Sequence, residues 1–557
     1  MTSGATIPGK LDGLVGDVLA DWNLYTSLIA GAIVTLAVVS FVTSRDPEIH
    51  PFLLARQSTA FPVRQPGESA AHRSLETPHG FPLRSGLNVK DPDAPKWTSG
   101  RNGDLRDVWK AAVRGKVEEN STAPGKQGKI FTVLGRQAME HSLDQITAEI
   151  NVIGRRLQSA NAKIVAVCLT DSVELLASIF AGAFYGFKVV LVPHNLAAEQ
   201  LSGLLQKSQA DSLISEAGAV DLPEIAGKNK QLNHVIWVAK PGSRHMDWND
   251  VPKEVEDHLD VAVWHELVDE KKELTGLEVP EWDPSSPSPT LSTLWSGEFV
   301  EYGLENIVAG IAGLIYSFPR TQRLNSDDLV LSIDSLSRLY PLCQVFGALF
   351  TNASVALNSV AGENVDFALA TVGVSPTVII ASSRTISEYH AKFMKPHSGL
   401  LSSVARWFQV RSLDAGNMPS QGFFSKLAAV GPTAELSLDR LRLLCIAHRI
   451  DETSDVRLDH EQLTDLRVLT GARVVYALTG PGVAGAIVQT NVFDYRRFDG
   501  PSHFGAPLST VEVHLTGISD ESEQGQLTVS GPSVIGGKTT LPVQARIRDD
   551  NTFDLCS

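Results

Sequence analysis

Cysteine is scarce in this chain, and the four residues present, Cys168, Cys343, Cys445 and Cys556, lie far apart. They form no Cys-x-x-Cys pair and no Cys/His cluster with zinc spacing, which argues against a structural zinc site and a disulfide framework and fits a reducing, cytosolic side. Basic residues are the minority charge: 48 Lys and Arg against 63 Asp and Glu leave a formal charge of -15. A body that coats nucleic acid needs clustered Lys and Arg, so no nucleic acid partner is expected. Charge is also missing locally. Trp22 to Ser44 contains no charged residue, and Leu291 to Pro319 contains neither lysine nor arginine.

The first of these gaps reads as a membrane span. LYTSLIAGAIVTLAVVSFVTS is apolar on every face and long enough to cross a hydrocarbon core of about 30 Å. A cleaved signal would want a basic start, a shorter apolar stretch and a small-residue cleavage site. A buried core helix is the alternative. The expected order is a tail over 1–21, a single transmembrane helix over 22–44 and a folded body beyond. Lys10, Asp12, Asp17 and Asp21 precede the span, whereas Arg45, Arg56, Arg64 and Arg73 follow it, so the basic excess assigns the body to the cytosolic side. The endoplasmic reticulum is the expected membrane.

Residues 45–105 are rich in Pro, Arg, Ser and Gly, show no sustained period, and read as an extended linker that wraps or leads into the body. After it, helix-like and strand-like segments alternate. SLDQITAEINVIGRRLQSA is an amphipathic helix, AKIVAVCLT a buried strand, SVELLASIFAGAFYG a helix and KVVLVPH a strand. Strands apolar on both faces and separated by helices imply a parallel sheet covered on both sides. Residues 106–277 form the first such unit. A second, 278–500, offers DDLVLSI, ASVALNS, PTVIIAS, RLRLLCIA and ARVVYAL as strands. In 501–557, TVEVHLTG and GQLTVSG alternate in the antiparallel manner, which suggests a small β subdomain.

DSVELLASIFAGAFYG, ENIVAGIAGL, DDLVLSIDSLSRLY, SPTVIIAS, YALTGPGVAGAI, FGAPLSTVEVHL and GQLTVSGPSVIGG stand in an order that resembles the large domain of adenylate-forming (AMP-binding) enzymes, long-chain acyl-CoA synthetases above all. The resemblance covers nearly everything from residue 80 onward and implies two α/β parallel-sheet subdomains plus a β subdomain. It also implies an activity: a fatty acid attacks ATP, and coenzyme A intercepts the acyl-adenylate. In that family a Ser/Thr/Gly-rich loop ending in Pro-Lys-Gly holds the phosphates, because backbone N–H groups approach an anion only past small side chains.

At the matching place this chain reads LSTLWSGEFVEYGLEN. Ser296 and Gly297 survive, the Pro-Lys-Gly is gone, and Glu298, Glu301 and Glu305 enter. Two like charges at 4 Å repel by about 4 kcal/mol at an effective dielectric near 20, so ATP affinity should be weak or absent. The Glu residues also suit a solvated helix start. The family's Tyr-Gly-Leu-Thr-Glu corresponds to Tyr476, Ala477, Leu478, Thr479 and Gly480, so the metal-holding carboxylate is replaced by glycine, and magnesium prefers anionic oxygen. Ser335, Leu336, Ser337 and Arg338 stand for Pro-Leu-Ala-His, and Ala447, His448 and Arg449 put bulk where the resemblance places adenine. No clear counterpart of the ribose-binding Thr-Gly-Asp is found, and no lid domain with its catalytic lysine is expected after GPSVIGGKTT.

The nucleotide-binding remnants are therefore Ser296, Gly297, Tyr476 and Thr479, with no catalytic or metal-ligating residue expected. His448 and His503 lack a nearby Ser or Cys in a recognisable nucleophile setting and read as structural. SFPRTQR and ARWFQVR are basic; contact with an anionic headgroup or a partner is one reading, ordinary surface charge the commoner one. The expectation is a membrane-bound, catalytically silent relative of long-chain acyl-CoA synthetases, with no cofactor, that keeps its fold to bind a fatty acyl chain, a lipid or a protein. The alternatives are an active ligase using ATP, magnesium and coenzyme A, and a scaffold for an active synthetase.

Overall fold

The computed structural model describes residues 23–43, 46–90, 94–95, 97–116, 125–194, 196–239, 259–281, 288–362, 365–394, 399–419, 438–450, 452, 455–518 and 524–556. The tail expected over 1–21 lies outside them.

Local chemistry explains the first helices. Leu143–Ser159 begins where the Ser142 side chain accepts the Gln145 N–H, and it buries Ile146, Ile150, Ile153 and Leu157, one stripe at helical spacing. Val173–Tyr185 starts on Ser172 and stops at Gly186, whose φ of 83° is the left-handed stop that glycine adopts cheaply. Between them Ile164–Cys168 is buried along almost its whole length, as a strand covered on both faces must be.

Among the described residues three sheets result. The first has seven strands, in the spatial order Glu298–Gly303, Thr290–Trp295, Lys188–Leu191, Ile164–Cys168, Ser212–Glu216, His234–Val238 and Asp260–Val263. The second has nine: Ala506–Pro507, Val488–Gln489, Arg473–Thr479, Leu443–Arg449, Val378–Ser382, Leu329–Ser332, Ser354–Asn358, Ile130–Leu134 and Gln137–His141. The strands between Arg473–Thr479 and Ile130–Leu134 all pair in parallel. All five strands expected from the second unit's sequence lie in this sheet. The third sheet is antiparallel, with six strands, and includes Glu512–Thr516 and Gln524–Ser530 as expected.

The sheets do not follow the chain-order units. The hairpin 130–141 belongs to the second sheet and the hairpin 290–303 to the first, so each sheet borrows an edge from the other's stretch of chain. Nor is 45–105 only a linker: Ser58–Ala60 and His72–Ser74 pair with each other, and the latter pairs with Glu512–Thr516. Three-residue strands are too short to show a period, and only their distant partners define them.

One apolar core joins the two parallel sheets. Phe180 meets Trp109 at 4.9 Å and Phe346 at 5.2 Å between ring centroids, linking helices on either side of the seam. The Trp109 indole N–H donates to Thr147 at 3.1 Å. Each such buried aromatic contributes roughly 1.5–3 kcal/mol through area removed from water.

The expected span is helical over Leu24–Thr43, and its side chains from Leu24 to Val38 include Leu24, Tyr25, Leu28, Ile29, Ile33, Val34, Leu36 and Val38, all exposed. Among the described residues no helix is long and apolar enough to cross a membrane.

Candidate functional site

The strand Thr290–Trp295 enters the first sheet parallel to Lys188–Leu191 and returns at once as Glu298–Gly303. Trp295 faces Glu298 across the ladder, so the turn is only Ser296 and Gly297, with φ of 46° and 84°. Two successive positive φ values mark a tight, twisted hairpin turn of the kind Gly favours. A turn this short has no run of amides to wrap an anion.

The turn is instead held by the chain itself. The Ser296 N–H donates toward the Glu452 carboxylate at 3.4 Å, and Arg338 donates to the same oxygen at 2.9 Å and to the Leu294 carbonyl at 3.2 Å. Trp295 donates its indole N–H to the Ile450 carbonyl at 3.2 Å, while the Ile450 N–H donates to the Thr479 carbonyl at 3.0 Å. Ile450 therefore links Trp295, just before the Ser296–Gly297 turn, to Thr479 at the end of the strand that also carries Tyr476. Glu452 is the residue that sequence reasoning missed. Its one signal is an acidic residue just past a strand whose end carries His448 and Arg449.

Glu298 and Glu301 lie on a strand, which corrects the expectation of a helix start. Only Glu305 occupies the first turn of the helix Leu304–Tyr316. Nor are they unpaired. Lys188 and Thr290 both bind Glu301, and the Lys188 hydrogen bond chiefly holds its carboxyl below the usual range. Glu298 takes Lys207 at 2.7 Å. The absence of lysine from Leu291 to Pro319 hid this, because the cations come from Lys188 and Lys207 on neighbouring elements.

Behind the turn the second sheet closes the space. The strand Leu443–Arg449 continues through the position where the resemblance expects a glycine-rich turn, and every residue of it is buried. Arg449 binds Asp455 at 2.9 Å, with side chains only 4% and 0% exposed. Asp334 beside them is pushed up by burial, against the pull of Arg449 and Arg338. Asp171, which accepts the Leu336 N–H at 3.0 Å, is driven well above the carboxylate range by burial.

The His448 ring lies 5.3 Å from Phe504, and Phe504 lies 4.7 Å from Tyr476, so three buried rings fill this end of the strand. Tyr476 uses its hydroxyl oxygen to accept the Leu458 N–H at 3.1 Å, and Thr479 donates its hydroxyl to the His448 carbonyl at 3.0 Å. Burial pushes His448 down to about 4. The sequence reading found no serine near it, whereas the structure places Ser383 Oγ 3.3 Å from Nδ1. Ser383 is wholly buried, so the contact is internal wiring rather than a nucleophile facing substrate. His503 is buried 3.6 Å from Asp494, and burial lowers its pKa.

The hydroxyl of Thr479, the phenol of Tyr476 and the amide of Ser296 all have intramolecular partners, and the internal carboxylate of Glu452 sits at the turn where an anion would dock. Among the described residues, no group of three or more His, Cys, Asp or Glu is placed to hold a metal ion.

No family model matches the chain. The uncharacterized protein YHR045W of Saccharomyces cerevisiae is 25% identical over 540 residues, covering 89% of this chain and 87% of its own. Among solved structures, VinN in complex with L-aspartate superposes with a TM-score of 0.54 at 15% identity, over 85% of this chain and 100% of that one. The anthranilate CoA ligase AuaEII in complex with anthranoyl-AMP gives 0.54 at 13% identity, over 84% and 79%. An acyl-CoA synthetase of Brucella canis gives 0.54 at 14% identity, over 82% and 75%. The chain thus has the α/β fold of adenylate-forming acyl-CoA and aryl-CoA ligases.

Proposed function

We propose that this chain is a catalytically silent, membrane-anchored relative of the long-chain acyl-CoA synthetases that keeps their fold for binding. The observation that carries the reading is Glu452, which, fixed by Arg338, occupies the hairpin turn with a carboxylate of the chain's own. Arg338 and the Ser296 N–H, the donors at this turn, are already taken by the Glu452 carboxylate, and the two-residue turn offers no run of further amides for a phosphate. No cofactor is assigned. The ligand is a fatty acyl chain or other lipid held in the retained body, and a protein partner, such as an active synthetase for which the chain is a scaffold, is the other use of such a surface.

Membrane attachment rests on Leu24–Thr43, 20 residues with no acidic side chain in the first turn and no basic one in the last. Around it, Trp22 to Ser44 holds no charged residue, the sequence feature that suits a hydrocarbon core. The body then lies on the cytosolic side, with the endoplasmic reticulum as the compartment. The test is nucleotide binding by the detergent-solubilised full chain. No thermal shift is expected at millimolar ATP and magnesium, and no thioester from palmitate, ATP and coenzyme A. Turnover to the thioester overturns the reading in favour of an active ligase.

A further inference from the structure

The segment that follows the apolar helix is not a loose tether. Four residues separate Thr43 from Glu48, five Cα steps that reach at most about 18 Å. At Glu48 the chain is clamped: its N–H donates to the Gly416 carbonyl at 3.0 Å, and its carboxylate takes Arg473 at 2.9 Å and the Tyr495 hydroxyl at 2.7 Å. Gly416 stands just past the helix Leu400–Asp414, and the apolar helix Leu24–Thr43 touches that same helix. So if Leu24–Thr43 sits in a bilayer, the face around Leu400–Asp414 is drawn against the bilayer surface.

That face carries the side chains such a position would want. Ser402, Gln409 and Leu413 of the helix are buried, Leu413 packing with Val468 and Tyr495. At i, i+3 and i+7 on another face stand Val404, Trp407 and Arg411, with Val404 52% and Trp407 53% exposed. Beside the clamp, the short helix Pro51–Ala55 leaves Phe52 71% and Leu53 47% exposed. Large apolar side chains left in water around a clamped tether are unexplained by the body's own packing. Tryptophan with a neighbouring arginine suits the headgroup–acyl boundary, where an aromatic ring sits at headgroup level and a cation reaches phosphate.

We infer that Val404, Trp407 and Arg411, with Phe52 and Leu53, form a platform that dips into the cytosolic headgroup–acyl boundary and fixes the body's orientation on the membrane. The inference rests on the anchoring proposed for Leu24–Thr43. The platform brings the end of the second sheet that carries Arg473 close to the lipid.

The test uses the full chain reconstituted in phosphatidylcholine vesicles with a minor share of phosphatidylserine, made with or without bromine on the acyl chains. Flotation reports the anchor, and bromine quenching of tryptophan emission reports depth. The expected result is co-flotation, with bromolipid quenching that falls clearly in Trp407→Phe. The variant changes an exposed ring, and an unaltered melting temperature confirms its fold. Co-flotation with quenching unchanged by Trp407→Phe overturns the platform and leaves the anchor standing; that is the outcome if a protein partner covers this face instead. A chain that does not float overturns the anchor, and the platform with it.

Discussion

Two sets of charge pairs flank the Ser296–Gly297 turn, and they differ in kind. On the outer side Lys207 meets Glu298, and Lys188 meets Glu301, with side chains between 24% and 76% exposed. On the inner side Arg338 meets Glu452 and Arg449 meets Asp455, with none above 14%. Exposed pairs in water are worth little, since solvent already satisfies both ions. A buried pair is different: its formation gains little over an apolar substitute, but loss of one partner strands a charge in a dry place. The outer pairs are therefore surface dressing on a strand, and the inner ones are the plug that the proposed function invokes.

The sharpest way to break this comparison is Arg449→Met. It leaves Asp455, with no exposed side-chain surface, without its partner, and should lower the unfolding free energy by about 3–5 kcal/mol in urea titration. Adding Asp455→Leu should recover much of the loss, because an apolar pair of similar volume replaces a desolvated ionic one. A loss below about 1 kcal/mol for the single variant would place Arg449 among the decorative pairs.

Acid should attack the same inner region. His448 is neutral in the folded protein because burial lowers its pKa from 6.5 to about 4, whereas the unfolded chain titrates near 6.5. The unfolded state thus binds more protons as pH falls, so this stability is complete above the unfolded pKa and is lost through the window from 6.5 towards about 4. The expected contribution to the loss is about 2 kcal/mol between about pH 7.5 and pH 5. Asp171 and Asp334, raised by burial, pull the other way, so the informative quantity is the difference between the wild type and His448→Phe. An equal pH dependence in both would detach His448 from the acid response.

A smaller effect belongs to the turn. Gly297 sits at φ 84° with open space where a Cβ would go, so Gly297→Ala meets no clash and costs only the left-handed backbone preference, about 1–2 kcal/mol by thermal melt. Ser296→Asn, which tolerates positive φ better, should be neutral or slightly stabilising. If Gly297→Ala proved neutral, the hairpin would not be the tight turn described.

The scaffold was legible in the sequence because it is written in local patterns. Ile164–Cys168 announces itself as a continuous apolar run, and Val173–Tyr185 by Ser172 and Gly186 at the helix ends. Strands Ser58–Ala60 and His72–Ser74 were read as linker, since their partner Glu512–Thr516 lies more than four hundred residues away along the chain. Ser296, Gly297, Tyr476 and Thr479 were chosen on motif order, and the partners of this region, Glu452, Ile450 and Ser383, were not legible because they arrive only through tertiary folding. Even the count of cations failed for this reason: Lys188 and Lys207 belong to other elements, and no scan within the loop includes them.

The mildest prediction sharpens the comparison most directly. Lys207→Met removes the partner of Glu298 and a contact to the Gly297 carbonyl at 3.1 Å, yet both side chains are at least half exposed. Stability should change by no more than about 0.5 kcal/mol. By the same logic, Glu298→Gln with Glu301→Gln removes both outer carboxylates and should create no ATP-dependent thermal shift, because Glu452 and the two-residue turn stay in place. If that double variant did gain nucleotide binding, the exclusion of ATP would belong to the outer strand, and the inner plug would be ordinary core wiring.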